Sequence, residues 1–195
     1  RFGVEEGVAF VPDAALHVEP ERVHLPKLAT ARPTIGLCLR LDQLHERFPA
    51  PFAEHFERFA VALTESLKTL VAEDGAQIVF SPHLLTPTDL EVGQLLRASL
   101  PEESLLLLHE EIPSLYGEAT LTNPAALAGV YRRLSVVLGQ RLHSVVLPFA
   151  VGTPAVSLSS TASNRWMQQE LGAPPELHLD LTDFEREIRV ERIVG

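Results

Sequence analysis

Short runs of branched apolar residues recur along this chain, each too continuous to leave one face in water. They are TIGLCLR (34–40), AQIVFSPH (76–83), SLLLLHE (104–110), SVVLG (135–139), PAVSL (154–158) and ELHLD (176–180). A strand that alternates apolar and polar residues can keep one face wet. A near-continuous Val/Ile/Leu run needs cover on both faces, which is the signature of a parallel sheet. The intervening stretches have helical spacing. Residues 51–73 place Phe52, Phe56, Phe59, Ala60, Leu63, Leu67 and Leu70 on one stripe. A second helix is predicted over 89–100 with Thr88 as its cap, and a third over 123–133 with Asn123 as cap and Pro124 in the first turn. A short helix follows over 141–151, and another over 162–171 is stopped by Gly172. This alternation predicts a doubly wound α/β fold: a mostly parallel sheet with helices on both faces. GVAFVPD (7–13) reads as one more short strand and 20–33 as a linker-like loop rich in proline and charge. A charged helix is expected from Asp183. The whole of 1–195 reads as a single α/β domain.

Composition removes several function classes. The formal net charge is -10, the wrong sign for a surface that must displace cations from nucleic acid. The one cysteine, Cys38, lies in an apolar run and reads as a buried, inert thiol. No apolar run approaches the roughly 20 residues that span a bilayer, so no integral membrane segment is expected. The opening RFGVEEGVAF has neither Met nor the build of a secretory leader. The chain therefore reads as a piece of a longer protein, cytoplasmic in location.

In a parallel sheet, ligands bind beyond the carboxyl ends of the strands. Arg40 follows TIGLCL, His83 follows QIVFSP, Glu110 and Glu111 follow LLLLH, and Arg141 with His143 follows SVVLG. All are expected along one edge. The sharpest of these signals is SVVLGQRLHSVVLPFAV, where an Arg and a His interrupt two core-building runs. Gly139 is expected to allow a tight turn and Leu142 to point into the core. Arg141 and His143 then reach the cleft at a helix start, a position that favours anions. Plainer readings stand beside these: Arg40 as a strand-end surface cation, His83 as a solvated loop histidine, Glu110 and Glu111 as a solvated pair, and Arg141–His143 as a cap and a core histidine. The chain has no HExxH, CxxC, Gly-rich phosphate loop or GxSxG elbow, and no metal site is expected.

The phrase VVLGQRLHSVVLPFAVGTPAVSLS, followed by a helix ending at Leu171-Gly172, resembles the C-terminal half of the polysaccharide pyruvyl transferase family. VPDAAL, IGLCLR and IVFSPHLLTPTDL resemble that family's upstream phrases, in order. Ser160 to Arg165 departs from it, standing where the family has a Tyr-x-x-Lys-like phrase. The resemblance implies a Rossmann-like, GT-B-type C-terminal domain of a two-domain enzyme. It implies transfer of a pyruvyl group from phosphoenolpyruvate to a sugar hydroxyl pair of a cell-surface glycan or its precursor, with no cofactor. Lipid-linked acceptors, and hence a peripheral place at the inner membrane face, are among the implied possibilities. It implies that Arg141 and Arg40 hold the donor's carboxylate and phosphate and that His143 is the acid/base, and His83 and Leu142 are further expected substrate-binding residues. The chemistry suits these types, because a doubly anionic donor calls for forked, permanent cations and proton transfer calls for a group titrating near neutrality. A GT-B glycosyltransferase or sugar-nucleotide epimerase, and a non-catalytic sugar- or anion-binding domain, remain alternatives at this stage.

Overall fold

A computed structural model describes residues 13–41, 48, 50–116, 123–159 and 161–181. The strand expected over 7–12 and the charged helix from Asp183 lie outside the described residues. Six strands form one sheet: β1 (Thr34–Cys38), β2 (Gln77–Phe80), β3 (Leu105–Leu107), β4 (Val136–Gly139), β5 (Ala155–Leu158) and β6 (His178–Leu179). Every pairing is parallel and the order is β3-β2-β1-β4-β5-β6. The connecting helices are α1 (Phe52–Asp74), α2 (Pro87–Ser99), α3 (Pro124–Tyr131), α4 (His143–Ala150) and α5 (Ala162–Glu170). The expected doubly wound α/β fold is the fold found.

Successive residues of each strand point to opposite faces, and the core divides accordingly. Ile78 and Phe80 pack with Phe59, Leu63, Leu67 and Leu70 of α1 and Val92 and Leu96 of α2. Val79 and Val137 pack on the other face with Leu127, Val130 and Tyr131 of α3 and Leu147 of α4. Burying each such side chain contributes about 1.5–3 kcal/mol. The stripe on α1 is shorter than its sequence implies, since Phe52 at the helix start is 41% exposed.

Three boundaries differ from the sequence reading. Thr86 rather than Thr88 caps α2, its hydroxyl accepting from Asp89 N at 3.3 Å. Pro87 then occupies the first helical position, where its missing N–H has no partner to lose. The run expected as a strand to Glu110 leaves the sheet at Leu107 and makes a helical turn over Leu108–Glu111. A block of four leucines carries no period by which strand and helix can be told apart. Helix α4 starts at His143, with Arg141 and Leu142 as the turn before it.

Candidate functional site

The chain builds outward from β1 through β2 to β3, then crosses back to place β4 on the other side of β1 and continues outward through β5 and β6. The strand order therefore reverses between β1 and β4, and a crevice opens there beyond their carboxyl ends. Gln140 bridges the two ends. Its N–H donates to the Cys38 carbonyl at 2.9 Å, and its buried side-chain oxygen accepts from Arg40 N at 2.9 Å. Asn164 of α5 donates to the Gln140 carbonyl at 3.3 Å. The backbone that carries Arg40 and Arg141 is thus held from three elements.

The turn Gly139 to Ser144 is unusually compact. The Ser144 hydroxyl accepts from Arg141 N at 3.1 Å and donates to Arg141 O at 2.6 Å. A Cβ on Gly139 would lie 2.4 Å from the Ser144 hydroxyl oxygen and 2.7 Å from its carbonyl oxygen. Close approach of backbone is what requires glycine here. The glycines with positive φ among the described residues are Gly75, Gly152 and Gly172, so the turn needs glycine at 139 for its missing Cβ and not for a left-handed backbone.

Two of the expected side chains, His83 and His143, line one cavity; Arg40 and Arg141 do not line it, but their charges act on His83. His83 is half-buried, and its pKa is lowered to about 4. Burial is the largest cause, and the positive fields of Arg141, His143 and Arg40 add to it. The imidazole is therefore neutral at pH 7. His143 stands half-exposed at the start of α4, with Nε2 3.5 Å from an Asp13 carboxylate oxygen. Asp13 caps the 3-10 turn Ala14–His17 by accepting from Ala15 N at 2.9 Å. His83, His143 and Asp13 line the mouth of a cavity of about 430 Å3, whose wall continues through Ala15, Val18, Leu127 and Leu147 to Cys38 and Tyr131. Burial pushes the Cys38 thiol up to about 11, consistent with an inert core thiol. The hydroxyls of Ser81, Tyr116 and Tyr131 are buried near this floor with no hydrogen bond of regular geometry. Burial also raises both phenols.

Arg141 is mostly buried, and its Nη2 lies 3.6 Å from a carboxylate oxygen of Asp89, which is fully buried. Asp89 also accepts from Leu84 N at 3.0 Å. The sequence reading gave Asp13 and Asp89 no role. Their signal was present in VPDAAL and LLTPTDL, but nothing local ties a carboxylate at 13 to a histidine at 143, or one at 89 to an arginine at 141. Leu142 does not reach into the core as expected. It is half-buried, and its carbonyl receives Val145 N and Val146 N at 2.9 and 3.0 Å, opening the helix. Glu110 and Glu111 do not join the group. They pair with Arg97 at 2.6 Å and with Lys27, along a groove that runs beside β3. Arg165, in the divergent stretch, pairs with Asp180 at 2.7 Å.

Among the described residues no group of three His, Cys, Asp or Glu side chains is placed to hold a metal ion, and no helix is long and apolar enough to cross a membrane. No match was found among the curated proteins. The family model for polysaccharide pyruvyl transferases matches residues 1–161, which contain β1 to β5, the switch-point crevice, and all of Asp13, Arg40, His83, Asp89, Arg141 and His143. With that coverage, the chain belongs to the polysaccharide pyruvyl transferase family.

Proposed function

We propose that the crevice binds phosphoenolpyruvate and that the pyruvyl unit passes from it to two hydroxyls of a sugar on a cell-surface glycan or its precursor. The observation that supports this is that His83 and His143 share one cavity at the carboxyl ends of the strands while Arg141 and Arg40 lie near enough for their charges to act on His83. Asp89 and Asp13 stand beside Arg141 and His143, so the site is mixed in charge, and what it offers a compact anion is forked donors on two permanent cations. Arginines supply bidentate contacts to carboxylate and phosphate. His83, neutral at pH 7, carries one donor and one acceptor nitrogen.

The reaction makes two C–O bonds at the donor's central carbon and breaks its bond to the phosphate oxygen. One hydroxyl proton ends on the methylene, which becomes a methyl group, and the other leaves with phosphate. His143 is the residue proposed to move the first proton, because it stands at the cavity mouth with Asp13 to orient its ring. A GT-B-type partner domain would supply the opposite wall. The proposed setting is cytoplasmic, without a bound cofactor.

Calorimetric titration with phosphoenolpyruvate tests the reading. Wild type should bind it. Arg141→Lys keeps the charge but loses the fork, and should weaken binding by about 1.5–3 kcal/mol. His143→Gln should leave donor affinity near wild type and lower turnover by about 10²–10⁴. Binding of a uridine or guanosine diphosphate sugar in place of phosphoenolpyruvate would sink the proposal.

A further inference from the structure

Asp89 is fully buried and sits in the first turn of α2, away from the cavity lining. A buried carboxylate is strongly unfavourable without a counter-charge. The positive group facing it is Arg141, with Nη2 at 3.6 Å from Oδ2. Two further atoms bear on the pairing: Asp89 Oδ1 and Arg141 Nε are both buried and both lack a hydrogen-bond partner. A carboxylate engages a guanidinium side-on through Nε and one Nη. The two unpartnered atoms are the pair that such a fork would join. The Nη1–Nη2 edge then remains for a ligand.

We infer that Asp89 is a positioning residue: it holds Arg141 side-on and turns the end-on edge of the guanidinium toward the donor anion. The inference rests on the proposed role of Arg141. Asp89 also fixes the loop that carries His83, because Oδ2 receives Leu84 N at 3.0 Å. One carboxylate thus joins the segment after β2 to the segment after β4.

The test is a double-mutant cycle on phosphoenolpyruvate affinity, measured by calorimetry for wild type, Asp89→Asn, Arg141→Lys and the double variant. Asp89→Asn should raise the dissociation constant about tenfold alone, and by less than about twofold in the Arg141→Lys background. Equal weakening in both backgrounds, or unchanged or tighter binding in Asp89→Asn, overturns the inference while leaving the functional reading intact. Failure of wild type to bind phosphoenolpyruvate removes both. Should Asp89→Asn not fold, the wild-type protein still decides. The Arg141 Nε–H resonance, identified by its loss in Arg141→Lys, should exchange slowly at neutral pH before donor is added, and rapid exchange overturns the inference.

Discussion

Gly139→Ala should damage this protein more through its site than through its stability. The added methyl meets Ser144 three times, at 2.4 Å from the hydroxyl oxygen, 2.7 Å from the carbonyl oxygen and 2.9 Å from the carbonyl carbon. The hydroxyl cannot swing away freely, since it bonds both Arg141 N and Arg141 O. The other two atoms belong to the backbone of α4. The start of that helix must therefore retreat by at least a few tenths of an ångström. Overpacking of this kind costs about 1–3 kcal/mol. For a chain of this length each kcal/mol lowers the melting temperature by about 2–4 °C, so a fall of roughly 2–12 °C is expected. Arg141 and His143 move with the helix start, and displacements approaching 1 Å in a catalytic group can cost on the order of 10²-fold in rate. Gly93→Ala is the control. Its Cβ would meet the Phe80 ring, a side chain, at 3.3 Å, and alanine gains about 0.5–1 kcal/mol over glycine within a helix. Scanning calorimetry and phosphoenolpyruvate titration of both variants decide the matter. If Gly139→Ala melts and binds like wild type, the close-packed turn is not what requires glycine.

Two further outcomes follow from the titratable groups. The His83 pKa of about 4 lies below the ordinary 6.5; its contribution to stability is present above pH 6.5 and is lost as pH falls through 4, so the wild-type loss of stability over that window should shrink in His83→Gln, and an NMR titration placing His83 near 6.5 would refute it. The Cys38 pKa of about 11 lies above the ordinary 9.0; its contribution holds below pH 9 and fades toward 11, the folded protein should resist thiol reagents at pH 8, and Cys38→Ala should lose roughly 1–2 kcal/mol with turnover intact, while rapid labelling of folded protein would overturn this.

The alternation of apolar runs with helical stretches was enough to read the architecture, because a parallel sheet must bury both faces of every strand. The Arg-Leu-His block was legible for a related reason, since charge inside a core-building run has to be placed by something other than burial. Arg40 and His83 were legible from their positions after strands. Glu110 and Glu111 obey the same rule without joining the group, as their plainer reading allows: the four-leucine run leaves the sheet one turn early, and the carboxylates it delivers find Arg97 and Lys27. Asp13 and Asp89 were invisible as partners because each acts on a residue many tens of positions away, and spacing carries no information over that range. Gly139 was legible as a turn glycine, but the contact that requires it, between a strand end and the following helix, leaves no mark in local propensity.

The strand order has a consequence for how the site can be lost. The site lies beyond the ends of β1 and β4, and the bond between Arg40 and Gln140 that joins those ends spans 100 residues of sequence. No contiguous half of the chain contains both strand ends. Opening at either outer strand, β3 or the two-residue β6, leaves the central pair intact, whereas parting β1 from β4 splits the sheet in two. Ligand binding and global folding should therefore report on the same event. Each tenfold rise in donor concentration above its dissociation constant should add about 1.4 kcal/mol to the stability of the whole domain, and the crevice should vanish in the same cooperative step as the sheet.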